Sequence, residues 1–254
     1  MISLEDKVAV ITGAAMGMGK ATALLFGKSG AKVAVADMNE VEGQKTVDEI
    51  KADGGEASFF KVNVSDEADV KKLIDDIVET YGKLDVAVNN AAITPDDKPI
   101  ADMDMDYYDK LMSVDLRGVA LSMKYELKYM EEAGIKGSII NTSSVSGIRP
   151  QPNNPAYVAA KHGVIGLTKN AAMDYSPKGI RVNSVAPGAI DTPMLRGAIE
   201  QFGFEPAEYA KQLSMLERFA QAEEVAEANA WLASDHSSYV TGTVLNVDGG
   251  YTSM

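Results

Sequence analysis

The stretch Val8-Ala9-Val10-Ile11-Thr12-Gly13-Ala14-Ala15-Met16-Gly17-Met18-Gly19 decides the fold of this chain. A short apolar run rich in β-branched residues predicts a buried strand, and the glycines after it predict a tight turn from which a helix begins at or near Gly17. Glycine lets a backbone approach a pyrophosphate closely, and the free amides of a helix N-terminus stabilise negative charge. The stretch therefore predicts a dinucleotide-binding unit, against the alternative that these glycines serve loop conformation alone.

Short strand-like runs and longer amphipathic stretches continue to alternate along the chain. Strands are predicted at Val8–Thr12, Lys32–Ala36, Ala57–Val62, Leu84–Asn89, Ser138–Thr142, Arg181–Ala186 and Val244–Val247. Helices are predicted at Lys20–Phe26, Glu40–Ala52, Ala68–Tyr81, Leu116–Glu131 and Ala156–Tyr175. This alternation predicts an α/β fold in one domain, 1–254: a doubly wound, mostly parallel, seven-stranded Rossmann-like sheet with helices on both faces. The segment 189–216 breaks the alternation, and we predict that it forms a lid over a site.

Composition excludes several classes of function. The 254 residues are 46% hydrophobic and 24% charged, which is ordinary for a water-soluble domain with a full core. Because cysteine is absent, disulfides, thiolate nucleophiles and cysteine-ligated metals are excluded. A formal net charge of −13 repels nucleic acid and anionic membrane surfaces, and no apolar run approaches the length of a membrane span. With an acidic start unlike a secretion signal, the chain is predicted to be cytoplasmic, with no nucleic-acid or membrane partner.

Three residues form a candidate catalytic set. Lys161 follows Tyr157 by four positions, so the two side chains share a face if Asn154 caps a helix that begins at Pro155. A nearby ammonium favours the phenolate and lowers the pKa of the tyrosine, which would make Tyr157 a general acid and base. Ser144 lies thirteen positions upstream of the tyrosine. The spacing alone is weak evidence, because an exposed aromatic and a solvated charge often recur on amphipathic helices.

Asp37 ends the second predicted strand, eighteen positions after Gly19. An acidic residue there can accept hydrogen bonds from the adenosine ribose hydroxyls, and it would repel a 2′-phosphate. Met38 and the turn residues supply no positive charge for that phosphate, so the sequence favours NAD over NADP. The alternative is that Asp37 merely caps the next helix.

Together these motifs resemble those of the short-chain dehydrogenase/reductase family, over nearly the whole chain. The turn matches T-G-x-x-x-G-x-G, Asn89-Asn90-Ala91-Ala92 resembles N-N-A-G, and the serine and Y-x-x-x-K are present. Pro187-Gly188 with Ile190 and Thr192 resembles the P-G-x-[IV]-x-T segment near the nicotinamide. The resemblance implies catalysis by Ser144, Tyr157 and Lys161. It implies cofactor binding by Gly13, Gly17, Met18, Gly19, Asp37, Asn63, Val64, Asn90, Tyr157, Lys161, Pro187, Ile190 and Thr192.

Three positions depart from the family pattern. Asp115 stands where V-N-L-x-G has its asparagine, which in the family positions a water relay behind the lysine, partly through its backbone carbonyl. An aspartate keeps that backbone carbonyl, and its carboxylate can add negative charge near Lys161. Ala92 replaces a glycine, and Asn63 replaces the aspartate that faces the adenine while keeping both a carbonyl and a donor amide.

The function that the resemblance implies is NAD-dependent interconversion of a secondary alcohol and its ketone by hydride transfer, in a homotetramer. The predicted lid is rich in apolar residues, which favours a lipophilic substrate or, equally, simple packing onto the core: Met194, Leu195, Ile199, Phe202, Phe204, Tyr209, Leu213 and Met215. One alternative is a 3-oxoacyl-carrier-protein reductase, which would need a basic patch such as Arg149, Arg196 and Arg218. A non-enzymatic alternative is a nucleotide-sensing or scaffold protein. No metal site is expected, because the two histidines, His162 and His236, lack ligand spacing.

Overall fold

One sheet of seven parallel strands forms the centre of the computed structural model, which describes residues 2–254. The strands are β1 (Val8–Thr12), β2 (Lys32–Asp37), β3 (Glu56–Lys61), β4 (Val86–Asn89), β5 (Ser138–Thr142), β6 (Arg181–Pro187) and β7 (Val244–Val247). Their order is β3-β2-β1-β4-β5-β6-β7, and each neighbouring pair is parallel. The predicted seven-stranded sheet is confirmed, and it is parallel throughout.

Nine α-helices are found in residues 2–254. They are α1 (Gly17–Lys28), α2 (Glu40–Ala52), α3 (Glu67–Tyr81), α4 (Met105–Met112), α5 (Gly118–Glu132), α6 (Pro155–Tyr175), α7 (Pro193–Phe202), α8 (Pro206–Leu213) and α9 (Ala222–Ala233). A π-helical turn, Ser113–Arg117, joins α4 to α5. The predicted start of a helix at Leu116 is wrong by two residues because this π turn precedes the regular helix.

The strands are buried because both faces of the sheet are covered. On one face, Val8 and Val10 belong to a cluster with residues of α3, α5 and α6, such as Leu73, Leu127 and Val164. On the other, alternate strand residues pack with α1, α2 and α9, as in the cluster of Ala9, Ile11, Phe26, Val47 and Leu232. This is why the strands read as continuous apolar runs and not as an alternation of apolar and polar residues.

The strand order reverses direction at β1, which pairs with β2 on one side and β4 on the other. In open parallel sheets, a crevice forms outside the carboxyl ends of the strands at such a switch point. Gly13 follows β1, Asp37 ends β2, Asn90 follows β4 and Ser144 follows β5. The topology therefore brings the predicted site residues to one edge of the sheet.

The predicted lid, 189–216, contains two short helices, α7 and α8. A parallel bridge between Ile190 and Ala220 closes its base. Helix α7 has no buried residue, and Phe202 and Phe204 are 50% and 41% exposed. The apolar side chains of this segment are covered unevenly: Leu195 and Ile199 are half-buried and Ala210 is buried, whereas the two phenylalanines are exposed. Within residues 2–254, the structure has no helix with the length and apolarity that crossing a membrane requires.

Candidate active site

The glycine turn is held in a shape that side chains would prevent. Gly13 and Gly17 have φ values of +67° and +56°, in the left-handed region that favours glycine. A Cβ on Gly19 would lie 2.1 Å from the carbonyl oxygen of Gly13. Asn90 braces the turn, because its Nδ2 donates to the carbonyl oxygens of Thr12 (3.1 Å) and Gly13 (3.2 Å). The sequence prediction of a glycine-dependent turn between strand and helix is confirmed.

The N-terminus of α1 has no side-chain cap. Met16 occupies the N-cap position without a side-chain hydrogen bond, and the first turn contains no acidic residue. By contrast, the N-termini of α2 and α3 are capped by Asn39 and Asp66. Free amides and the positive end of the helix dipole fit the pyrophosphate of a dinucleotide. A Cβ on Gly17 would lie 3.5 Å from the methyl group of Thr192, so the turn faces the segment after β6.

Asp37 does not cap α2, so that alternative is wrong. Its Oδ2 accepts from the Ala15 amide (3.0 Å) and its Oδ1 from the Asn39 amide (2.9 Å), while Asn39 itself caps the helix. The carboxylate thus fixes the glycine turn to the end of β2. Since an ionised carboxylate has about four acceptor positions, it keeps capacity for ribose hydroxyls.

The remaining predicted cofactor residues surround the same crevice. The Oδ1 of Asn63 accepts hydrogen bonds from the backbone amide of Ser65 at 3.1 Å and from its hydroxyl at 2.8 Å. The side-chain NH₂ group of Asn63 therefore remains as a donor. The next residue, Val64, is buried against the start of α5. Pro187 ends β6, Ile190 is 5% exposed and Thr192 caps α7. The cradle fits a dinucleotide, and these residues are the ones that would hold it.

Tyr157 and Lys161 are neighbours on α6, as their spacing predicts. The Nζ of Lys161 lies 5.2 Å from the centroid of the Tyr157 ring. Lys161 is 2% exposed, whereas Tyr157 is partly exposed. Ser144 is 8% exposed and its Oγ accepts from the Ser146 amide at 3.1 Å. A hydrogen bond from the Ser144 hydroxyl also favours the ionised form of Tyr157.

Lys161 has a carboxylate partner that the family pattern does not supply. Its Nζ lies 3.2 Å from Oδ2 of Asp115 and donates to the carbonyl oxygen of Thr142 at 3.3 Å. Asp115 is 0% exposed, and its Oδ1 accepts from the Ile93 amide at 2.9 Å. Burial lowers the pKa of Lys161, but Asp115 and Tyr157 together raise it above its ordinary value. Burial raises the pKa of Asp115, and the ammonium of Lys161 offsets part of that effect.

The expected lowering of the Tyr157 pKa does not occur in the cofactor-free chain. Burial raises the pKa of Tyr157, and Asp115 raises it further. Lys161 and Ser144 lower it, but by less than the two opposing effects. The spacing correctly predicted the partner of the tyrosine, and it could not predict the cost of burying the phenolate. Without cofactor, therefore, Tyr157 is a phenol at neutral pH.

Helix α6 begins at Pro155 with Asn154 at the N-cap position, as predicted, but the side chain of Asn154 makes no capping hydrogen bond. The capping hydrogen bonds go to Asp96, in the loop after β4. Asp96 accepts from the amides of Ala156 and Tyr157, both at 3.0 Å, and is 9% exposed. Asn154 instead donates through Nδ2 to the backbone carbonyl of Asp96.

Sequence reasoning missed Asp96, Ser143 and Gly147. The Ser143 hydroxyl donates to the carbonyl oxygen of Lys161 at 2.9 Å. A Cβ on Gly147 would lie 2.4 Å from the Oγ of Ser143, so only glycine fits there. These contacts press the turn after β5 against α6. The run Ser143 to Gly147, rich in serine and ending in glycine, was the available signal for a tight turn. No local sequence pattern predicts the role of Asp96, because the amide it accepts from lies sixty positions away along the chain.

The three arginines proposed for a basic patch are engaged elsewhere. Arg196 makes two hydrogen bonds to Asp191 (2.6 and 2.9 Å), and Arg218 makes two to Glu224 (2.7 and 2.8 Å). Arg149 lies over the ring of Tyr251 at 4.6 Å from its centroid. The charges of Arg196 and Arg218 are thus paired with carboxylates, and the guanidinium of Arg149 is stacked on an aromatic ring. Within residues 2–254, no cluster of three or more histidine, aspartate or glutamate side chains could hold a metal ion.

A dinucleotide crevice beside a serine, a tyrosine and a lysine defines the class of nicotinamide-dependent oxidoreductases. Residues 13–252 match the family profile described as enoyl-(acyl carrier protein) reductase. The chain belongs to the short-chain dehydrogenase/reductase family.

Named relatives match over nearly their whole length. The chain is 43% identical to 2,5-dichloro-2,5-cyclohexadiene-1,4-diol dehydrogenase of Sphingobium indicum (100% of both chains). It is 45% identical to cyclohexanol dehydrogenase of an Acinetobacter species (98% of this chain, 96% of the relative). It is 42% identical to 3-oxoacyl-[acyl-carrier-protein] reductase of Thermotoga maritima (97% and 98%).

Solved structures agree with the fold. The crystal structure of levodione reductase superposes with a TM-score of 0.94, at 38% identity and 98% coverage of both chains. A second crystal structure superposes with a TM-score of 0.91 at 32% identity, covering 100% of this chain and 99% of the other. It is described as a putative 2-deoxy-D-gluconate 3-dehydrogenase from Agrobacterium tumefaciens with bound NADP.

Proposed function

We propose that this protein is an NAD-dependent dehydrogenase that interconverts a lipophilic, cyclic secondary alcohol and its ketone, with Tyr157 as the general acid and base. The observation that carries the proposal is the position of Tyr157: partly exposed, 5.2 Å from a buried ammonium, on the edge of the sheet that also carries the glycine turn. A pure nucleotide sensor has no physical need for this arrangement.

Each residue of the set has a separate task. In alcohol oxidation, the Tyr157 hydroxyl oxygen, once ionised, takes the proton of the substrate hydroxyl, and in ketone reduction it returns one. Ser144 hydrogen-bonds the same substrate oxygen. Lys161 would stabilise the phenolate and hold the nicotinamide ribose. A bound nicotinamide would supply the hydride acceptor or donor, and the positive charge of its oxidised ring would favour the phenolate of Tyr157.

Two observations support a lipophilic, cyclic substrate. The segment 189–216 carries exposed aromatic rings, Phe202 and Phe204, and Phe204 stacks on Tyr209 at 4.3 Å between ring centroids. Three of the relatives and structures above are named for six-membered cyclic alcohols or ketones.

The preference for NAD rests on Asp37. Its carboxylate stands at the end of β2, and Met38 beside it is 63% exposed and carries no charge. Both features disfavour a 2′-phosphate. The homotetramer and the cytoplasmic location expected from the family resemblance and the composition belong to the same proposal.

A 3-oxoacyl-carrier-protein reductase is the second candidate, because one relative bears that name. The engagement of Arg196 and Arg218 with acidic partners counts against it, since an acidic carrier protein needs uncompensated positive charge.

The test is a screen of cyclic, aromatic, steroid and short-chain secondary alcohols with NAD⁺ and NADP⁺, followed by absorbance of the reduced cofactor. We expect cyclic alcohols with NAD⁺ to react fastest. Tyr157→Phe should lower turnover by roughly 10² to 10⁴ and leave NAD binding nearly intact. Undiminished turnover in that variant would refute the assigned role, and activity only on 3-oxoacyl thioesters would favour the second candidate.

A further inference from the structure

Asp115 gives this site a charge that the family pattern lacks. The carboxylate is fully buried, with Oδ1 held by the Ile93 amide and Oδ2 facing Lys161 at 3.2 Å. It stands in the π-helical turn Ser113–Arg117, a local widening that turns its side chain inward toward α6. Apart from that ammonium, Oδ2 has no aligned hydrogen-bond partner among residues 2–254. Oδ2 is therefore directed at the lysine alone.

The balance of charge around Tyr157 follows from this contact. With an asparagine at position 115, a buried lysine alone faces the phenolate, and the pair is neutral. With Asp115, the ammonium is already neutralised, so ionising Tyr157 leaves one uncompensated negative charge in a buried site. Such a charge is costly at low dielectric.

Other titratable groups around the pair do not compensate that charge. Tyr107 on α4 donates its hydroxyl hydrogen to the carbonyl oxygen of Thr94 at 2.7 Å, and its pKa is raised by burial and then by Asp115. Asp96, in the loop after β4, is negative and spends both carboxylate oxygens on amides of α6. Lys161 is thus the only cation in direct contact with Asp115 or Tyr157 among residues 2–254.

We propose that Asp115 is a positioning residue that neutralises Lys161 and so moves the working range of Tyr157 to more alkaline pH than an asparagine at this position would give. The proposal rests on the role proposed above for Tyr157. It extends that role, because it makes the pH range of alcohol oxidation a property of one side chain. It also gives the departure from V-N-L-x-G a chemical consequence.

The experiment compares the wild-type chain, Asp115→Asn and a charge-matched control, Asp109→Asn, which removes an exposed carboxylate from α4. Asparagine keeps the backbone carbonyl and an acceptor for the Ile93 amide. Each protein is also made with Tyr157→Phe. The phenolate absorbance of each cofactor-free protein is titrated with pH, and subtracting the Tyr157→Phe curve isolates Tyr157.

We expect the Tyr157 transition in Asp115→Asn to move to lower pH by about one unit or more, with no such movement in Asp109→Asn. The acidic limb of kcat/KM for alcohol oxidation should move in the same direction. An unchanged or higher transition, an equal shift in the control, or a uniform loss of activity without a shift would overturn the proposal. If none of the alcohols reacts, the proposed function fails, while the cofactor-free titration still decides the role of Asp115.

Discussion

At Tyr157, opposing influences act on one hydroxyl group. Burial and Asp115 favour the phenol, while Lys161 and Ser144 favour the phenolate. The spacing of Tyr157 and Lys161 predicted their contact, because four residues make about one helical turn. It could not predict the balance, since burial and the approach of Asp115 depend on the packing of distant segments. Residue patterns thus located the candidate chemistry but not its pH range.

Asp37 carries the prediction on cofactor choice. Asp37→Ala combined with Met38→Arg removes the carboxylate that repels a 2′-phosphate and adds a cation to hold it, so preference should move toward NADP. Steady-state kinetics with both cofactors measures the ratio of kcat/KM values. Because Asp37 also accepts the Ala15 amide, we expect activity with NAD⁺ to fall as well. Met38→Arg alone is the control, and a double variant that still ignores NADP would show that Asp37 does not meet the ribose.

The start of α6 depends on a loop far away in sequence. Most element boundaries follow from periodicity: the helix Glu40–Ala52 and the strands Val8–Thr12 and Ser138–Thr142 are placed as predicted. Helix α4 was missed because it is only eight residues long and is followed by the π turn, which interrupts the 3.6-residue period. The N-cap position of α6 was predicted correctly, but its capping hydrogen bonds could not be, because Asp96 accepts them from sixty positions away along the chain.

Asp96 is expected to hold the first turn of α6 and, with it, the backbone of Tyr157. Asp96→Ala leaves two amides without their acceptor and should lower the free energy of unfolding by about 1–2 kcal/mol. Urea unfolding measures this change. Asp96→Asn should lose less stability than Asp96→Ala, since the asparagine carbonyl oxygen can still accept a hydrogen bond from one of the two amides. The control is Asp97→Ala, an exposed neighbour whose removal should have little effect, and an equal loss in both variants would contradict this role.

On the scale of the whole molecule, the parallel sheet buries a cluster of three polar side chains in its core. Asn89 donates to Oε2 of Glu126 and to Oδ1 of Asn141, both at 3.0 Å. Glu126 is 1% exposed, and burial raises its pKa to about 8, with only the Asn89 hydrogen bond opposing this. The sequence pattern of α5 gave no sign of this group, because glutamate on a helix is ordinarily solvated. The order of the strands in the sheet, too, cannot be read from periodicity.

Glu126 should make stability fall as pH rises. Its ordinary pKa is 4.5 and its pKa in the folded chain is about 8, so between these values the native state holds a proton that the unfolded state releases. The contribution is complete below pH 4.5 and is lost as the pH rises through about 8. Denaturant unfolding of the wild type and Glu126→Gln, from pH 5 to 8, should show their difference changing by up to about 1.4 kcal/mol per pH unit. A constant difference would mean that Glu126 titrates alike in both states.

Helix α7, in which no residue is fully buried, has a consequence for the history of such enzymes. Most mutations there should cost the fold less than mutations in the glycine turn, where an added Cβ on Gly13 or Gly19 would meet backbone atoms. Natural selection can therefore explore new substrates by altering this helix while proton handling stays fixed. Descendants of one ancestral gene could in this way acquire different alcohols without losing the scaffold.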